Sequence, residues 1–115
     1  MKERTIQHSI LDRVGGRSDI RIFRNNVGLG FTKTGTPIRF GLHTGSADII
    51  GWKSVTITDK MVGRRMAIFV SIETKAQGRG PSPDQINWMQ QVTAAGGLAG
   101  IARNCQDALE IVDNV

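Results

Sequence analysis

The sequence predicts an α/β protein in which helices flank a mixed β-sheet, within a single domain that spans residues 1–115. Its 115 residues are enough for one modest core and too few for two. Segments with apolar residues at helical spacing alternate with strand-like segments, in the order helix, strand, loop, strand, strand, helix, strand, helix. We therefore expect an α-β-β-β-α-β core followed by a C-terminal helix.

The first helix and the first strand are predicted from the spacing of their apolar residues. Residues 2–14 form a helix in which isoleucines recur every four positions, and a glycine pair ends it. Residues 19–25 alternate apolar and basic side chains, as in a half-buried strand. Glu3 lies one turn before the first isoleucine of the helix, which directs it towards the body of the protein. It is equally explained as a favourable acid in the first helical turn.

The middle of the chain is predicted to hold a long connection and then a hairpin. Residues 26–46 are rich in Gly, Thr and Asn and form a long loop or an irregular hairpin, and such loops are usually functional. Residues 47–58 and 66–76 are strand-like, and a basic turn at 59–65 joins them. We expect these two strands to pair as an antiparallel hairpin.

The last part of the chain is predicted to be helix, strand and helix. Ser82 and Gln85 form an S-x-x-Q capping box at the start of a helix over 82–95. Residues 98–102 are a short apolar run, typical of a buried strand, and 104–115 close the chain as a helix. The residues of this last helix expected to face inward are Ala108, Leu109 and Val112.

Charged side chains come together in the predicted hairpin. Folding the chain back at the turn places Asp48 beside Glu73 and Lys75, and a separation of two positions puts Glu73 and Lys75 on one face. Gln85 joins them from the next helix and Glu3 from the first. Carboxylates held close together repel, so a hard cation such as Mg²⁺ or Mn²⁺ is expected between them. These residue types suit metal-assisted phosphodiester hydrolysis, with Lys75 orienting the attacking water and binding the phosphate.

The positive charge of the chain is unevenly distributed. Residues 1–43 hold eight Lys and Arg against three Asp and Glu, residues 44–80 six against three, and residues 81–115 one against four. A basic surface of this kind is typical of proteins that bind phosphates, although solubility alone also explains it. The candidate DNA-backbone contacts, each of which is equally explained as a solvated surface charge, are Arg21, Arg24, Lys33, Arg39, Lys60, Arg64, Arg65 and Arg79.

Several classes of protein are disfavoured by the composition. A single cysteine excludes an internal disulfide and a cysteine-based zinc site, and we expect Cys105 to be a buried small hydrophobe. No apolar run approaches the length of a membrane span, and no leader-like segment opens the sequence. We expect no membrane association and a cytoplasmic location.

The chain resembles a known nuclease family in residues that span most of its length. Glu3, the segment GSADIIGW at 45–52 and the segment IFVSIETKAQGRGPSPDQINWMQQVTAAGGLAGIA at 68–102 resemble the VRR-NUC nucleases, a branch of the PD-(D/E)xK superfamily. Its short, stand-alone viral and bacterial members are the type that the chain resembles. One departure is Ala47, which stands where the superfamily is named for a proline. The resemblance implies a PD-(D/E)xK nuclease-like fold.

The resemblance also implies roles for individual residues. Asp48, Glu73 and the backbone carbonyl of Thr74 would be ligands of Mg²⁺ or Mn²⁺, with Lys75 as the catalytic lysine. Gln85 would be the helix glutamine of the motif. Glu3 would be the acid of the first helix and a further candidate ligand.

The function implied by the resemblance is a homodimeric, structure-selective DNA endonuclease. Its expected substrate is branched DNA such as a four-way Holliday junction, in phage or prophage replication and repair within a bacterial host cell. Three alternatives stay open: a nickase, flap or restriction-like endonuclease of the same chemistry; a non-catalytic DNA-binding protein; and an α/β domain with a surface ion pair between Glu73 and Lys75.

Overall fold

A computed structural model describes residues 2–115 of the chain, which fold into an α/β structure with two compact units. The first unit ends at Val55 and the second is Thr56–Val115. Among the described residues there are three α-helices, six β-strands and one 3₁₀-helix, so the predicted α/β class is confirmed. No helix within residues 2–115 is long and apolar enough to cross a membrane.

The first unit contains one helix and two antiparallel strand pairs. Its elements are α1 (Glu3–Arg13), β1 (Ile20–Arg24), β2 (Gly28–Phe31), β3 (Pro37–Phe40) and β4 (Ile49–Lys53). β1 pairs with β4, and β2 pairs with β3. The predicted helix over 2–14 and strand over 19–25 are confirmed. Of the two forms expected for 26–46, the structure has the irregular hairpin, which is formed by β2 and β3.

The second unit is built on a parallel strand pair joined by a helix. Its elements are the 3₁₀-helix η1 (Asp59–Met61), β5 (Val70–Thr74), α2 (Pro83–Ala94), β6 (Leu98–Ala102) and α3 (Cys105–Val112). β5 and β6 are parallel, so α2 is the crossover that returns the chain to the starting edge of the pair. The predicted strand at 98–102 is confirmed residue for residue.

The start of α2 is fixed by its side-chain caps. Ser82 Oγ accepts a hydrogen bond from the Gln85 backbone N–H at 3.2 Å, and Gln85 Oε1 accepts one from the Ser82 backbone N–H at 2.9 Å. Pro83 occupies the first turn, where its missing N–H has no helical partner to lose. The capping box predicted from the sequence is therefore confirmed.

The predicted hairpin of residues 47–58 and 66–76 is wrong. β4 pairs with β1, from Ile20 opposite Lys53 to Arg24 opposite Ile49, and β5 pairs with β6. The expected single mixed sheet is accordingly replaced by three two-stranded pairs among the described residues. Alternation along a strand identifies its two faces but not its partner, which is why the strands were predicted and their pairing was not.

Two predictions about buried side chains are also wrong. Cys105 is exposed, because it occupies the first turn of α3 rather than the side that packs on the strands. Leu109 is 53% exposed, and Ile111, which was not expected to face inward, is half-buried. The Ile111 side chain fills the space above Gly100, where a Cβ atom would lie 2.8 Å from Ile111 Cγ1. Ala108 and Val112 are half-buried, as expected for the inner side of α3.

Candidate active site

Glu73, the acid of the E-x-K segment, lies on the face of β5 that α2 covers. Ser71 and Glu73 are half-buried, whereas Val70, Ile72 and Thr74 between and beside them are exposed. Trp88 of α2 donates from Nε1 to Ser71 Oγ at 2.7 Å, so the Ser71 face is the one that the helix covers. Successive side chains alternate between the faces of a strand, which places Glu73 on this same face.

Lys75 continues the strand pairing one residue beyond β5. Its backbone N–H donates to the carbonyl oxygen of Ala102 at 3.2 Å, and its side chain is half-buried. Glu73 and Lys75 therefore stand at the carboxyl end of the parallel pair. In open α/β sheets this end is where ligands bind, because the connections to the helices leave a crevice there.

The charged groups of Glu73 and Lys75 have no partner within residues 2–115. Neither side chain makes a hydrogen bond or an ion pair within 4.0 Å there, so the surface ion pair considered as an alternative is not formed. Half-burying a charge without a partner is costly. A half-buried carboxylate that no protein group neutralises fits the donor set of a hard cation such as Mg²⁺ or Mn²⁺.

Gln85 is brought to the same end of the second unit by the connection from β5 to α2. The side chain is half-buried, and its Oε1 is engaged in the helix cap. The amide nitrogen, Nε2, has no partner in the cap and can donate to a substrate. The sequence predicted a cap and a site role for this residue, and the cap leaves Nε2 available for the second.

Asp48 lies in the first unit, immediately before β4, and is exposed. The segment that leads to it is held by Asn25, whose side chain is only 7% exposed. Asn25 Nδ2 donates to Ser46 Oγ at 2.7 Å and to the Ala47 carbonyl at 2.9 Å. Its Oδ1 accepts from the Leu42 backbone N–H at 2.9 Å, and its own backbone N–H donates to the Asp48 carbonyl at 2.7 Å.

Asn25 is a residue that sequence reasoning missed. Its position directly after the first strand carries no motif, and its partners lie 17 to 22 residues away in the sequence. The signal that could have found it is the small polar side chain at a strand end, the residue type that bonds to nearby backbone groups. Its four bonds fix the backbone on which the Asp48 carboxylate is carried.

A shallow cleft of about 480 Å³ opens at the carboxyl end of β5 and β6. Arg103 lies at its edge and donates from Nη2 to the carbonyl oxygen of Arg79 at 2.6 Å, which ties together the two connections that follow the strands. Sequence reasoning missed Arg103 as well, although it is the one basic residue in 81–115. The residues that line the cleft are Ile72, Thr74, Lys75, Ala76, Ala102, Arg103, Asn104, Cys105 and Ala108.

The remaining predicted residues are all exposed. In the first unit, Glu3 lies in the first turn of α1 and the cations lie on or beside strands: Arg21 and Arg24 on β1, Lys33 between β2 and β3, and Arg39 on β3. In the second unit, Lys60 belongs to η1, Arg64 and Arg65 follow it, and Arg79 lies between β5 and α2. Exposure suits both a phosphate contact and a solvated charge.

Within residues 2–115 there is no group of three or more His, Cys, Asp or Glu side chains arranged to hold a metal ion. Without Glu3, the ligand set implied by the sequence resemblance is smaller than such a group, since it has two carboxylates and one backbone carbonyl; a set of three acids that includes Glu3 is not formed among the described residues. No family model, curated protein or solved structure matches the chain. The assignment of a function therefore depends on the motif and on the geometry of the second unit.

Proposed function

We propose that the chain is a metal-dependent DNA endonuclease of the VRR-NUC type, with a PD-(D/E)xK nuclease-like fold. The observation that carries the proposal is the pair of half-buried, unpartnered charges of Glu73 and Lys75 at the carboxyl end of a parallel β-α-β unit. Because the Glu73 carboxylate and the Lys75 ammonium are not paired with each other, they are available to bind two other charges, a cation and a phosphate.

Each residue of the proposed site has a distinct task. By the sequence resemblance, Asp48, Glu73 and the Thr74 carbonyl would be ligands of Mg²⁺ or Mn²⁺, which when bound would lower the pKa of a coordinated water and stabilise charge on a phosphate. Lys75 donates to the attacking water and to the phosphate oxygen on which charge grows. Gln85 donates from Nε2 to the same phosphate while Oε1 keeps α2 capped. Among the remaining acids, Glu3 is the candidate for an additional ligand.

The DNA is held by its backbone rather than by its bases. The net charge of +5 and the eight exposed cations named above supply contacts to phosphates, which carry no sequence information. The proposed substrate is branched DNA such as a Holliday junction. A homodimer would supply two active sites for two strands, and the proposed setting is phage or prophage DNA metabolism in the bacterial cytoplasm.

The test is cleavage of a labelled four-way junction and of a linear duplex with the same arms, each in Mg²⁺, Mn²⁺ or EDTA. Wild type is compared with Glu73→Gln and with the control Glu110→Gln, an exposed acid of α3. We expect metal-dependent cutting of the junction by wild type and by the control, and none by Glu73→Gln. Equal cutting of both DNAs would retain the chemistry and overturn the junction preference. Binding without cutting in either metal would make the chain a non-catalytic DNA-binding protein.

A further inference from the structure

Two cations lie side by side where the parallel strands end. Thr74 is opposite Ala102 in the register, and the bond from the Lys75 N–H to the Ala102 carbonyl extends the pairing by one position. Lys75 and Arg103 are therefore neighbours on adjacent strands, whose backbones are about 4.8 Å apart in such pairs. Both residues line the cleft at this end of the second unit.

The Arg103 side chain is oriented by the protein but not neutralised by it. Nη2 is bonded to the Arg79 carbonyl oxygen at 2.6 Å. The nearest acid in sequence, Asp107, accepts instead from the Arg103 backbone N–H at 2.9 Å, and no ion pair within residues 2–115 involves the guanidinium. The Nε and Nη1 hydrogens remain to donate to an anion in the planar geometry that suits a phosphate.

The end of the strand pair carries charges of both signs, but its two cations have no acidic partner among the described residues. Lys75 and Arg103 line the cleft, Glu73 lies on β5, and the Asp107 carboxylate is engaged by the Arg103 backbone N–H. Like charges on neighbouring strands repel each other, and an anion between them removes that repulsion. A phosphate is small enough to enter a cleft of about 480 Å³ and to take hydrogen bonds from both side chains.

We propose that Arg103 and Lys75 clamp a backbone phosphate of the DNA strand that is cut, in the cleft at the carboxyl end of β5 and β6. Arg103 is a substrate-binding residue in this arrangement, and Arg79 supports it through its carbonyl oxygen. The identity of the anion as part of a DNA strand rests on the proposed function, whereas the anion site itself rests on the geometry of the second unit.

The first experiment measures DNA binding without catalysis. The affinity for a labelled four-way junction is measured in EDTA over a series of KCl concentrations, for wild type, Arg103→Gln and Arg103→Lys. A protein loses about 0.9 in the slope of log K against log salt for each phosphate contact removed. We expect Arg103→Gln to lose that amount and to bind about tenfold more weakly, which is the effect of one charge-assisted contact. Arg103→Lys should retain part of both.

The matched control is Arg13→Gln, which removes an exposed arginine from the last turn of α1 and leaves the cleft unchanged. We expect it to keep the wild-type slope. Equal slopes for Arg103→Gln and wild type, in a protein that binds and cuts DNA, would overturn the phosphate clamp and leave the endonuclease standing.

The second experiment uses inorganic phosphate as the probe. In ¹⁵N-labelled wild type, titration with phosphate should shift the Arg103 Nε–H signal and the Cys105 amide signal, and the shifts should be absent in Arg103→Gln. Such shifts in a protein that neither binds nor cuts DNA would support the anion site and overturn the proposed nuclease. The absence of shifts at saturating phosphate would overturn the anion site, whatever the DNA assays show.

Discussion

Replacing Asn25 with alanine should weaken the first unit and free the segment that carries Asp48. The substitution removes the two hydrogen bonds donated by Asn25 Nδ2 and the one accepted by Oδ1. It leaves the Leu42 N–H and the Ala47 carbonyl without their partner. The backbone bond from residue 25 to the Asp48 carbonyl does not involve the side chain and should persist.

The expected loss follows from the number of bonds and from the burial of the side chain. A hydrogen bond contributes about 1 kcal/mol net to folding, so three bonds give about 3 kcal/mol. Water reaches the exposed Leu42 and Ala47 backbone once the amide is removed, which lowers the expected loss to about 2 kcal/mol. A small chain has a stability of about 5–15 kcal/mol, so this is a readily measured fraction.

The assay is urea denaturation followed by Trp fluorescence, with amide hydrogen exchange at Leu42 as a local readout. Asn26→Ala is the matched control, because Asn26 is the exposed neighbour of the same residue type. We expect Asn25→Ala to lower the free energy of unfolding by about 2 kcal/mol and to speed exchange at Leu42, and the control to change neither. A loss below about 0.5 kcal/mol, equal to that of the control, would refute the role assigned to the Asn25 side chain.

Three further predictions concern the ion pair, the helix cap and the first strand pair. The bidentate hydrogen bond from Arg17 holds the pKa of Asp19 below its usual value. This pair stabilises the fold at pH values above the unfolded-state pKa of Asp19, and the contribution is lost as the pH falls through the folded-state pKa. Arg17→Gln should raise the pKa of Asp19 in an NMR titration. Ser82→Ala should cost about 1 kcal/mol in urea denaturation by removing the N-cap of α2, and an unchanged midpoint would contradict the cap. Gly51→Ala should lower the melting temperature, because a Cβ there meets the β1 backbone. The control Gly80→Ala should leave it unchanged, because a Cβ at Gly80 meets no atom within 4 Å.

Much of the local structure could be predicted from the sequence because its signals are local. The capping box at Ser82 and Gln85 sets the start of α2, and the apolar run at 98–102 becomes β6. The pairing of the strands could not be predicted, because alternation is the same for any partner. The closest sequence sign of the true pairing is Gly51, which lets the backbone of β4 approach that of β1, but a glycine in a strand does not identify the strand that it faces.

In the candidate site, too, the features that depend on local sequence could be predicted and those that depend on distant partners could not. The spacing of Glu73 and Lys75 predicts that both lie on one strand face, since that depends only on the period of a strand. In the structure Glu73 lies on β5 and Lys75 lies one residue beyond its end. Asn25 and Arg103 were missed because their roles depend on partners 17 to 24 residues away, which no local pattern encodes. The inward side of α3 was partly wrong for a related reason: Ile111 packs over Gly100, a space that exists only once the strand and helix are in contact.

The measurement that tests the central claim most directly is Mn²⁺ binding, followed by electron paramagnetic resonance of the free ion. The variants are Asp48→Asn, Glu73→Gln and their combination, with Asp59→Asn as an exposed control acid. If Asp48 and Glu73 are both ligands, as the sequence resemblance implies, each single variant should weaken binding by at least about tenfold. The double variant should then be weakened by less than the product of the two effects, because both act on the same ion. Mn²⁺ affinity equal to wild type in Glu73→Gln would contradict the proposed active site.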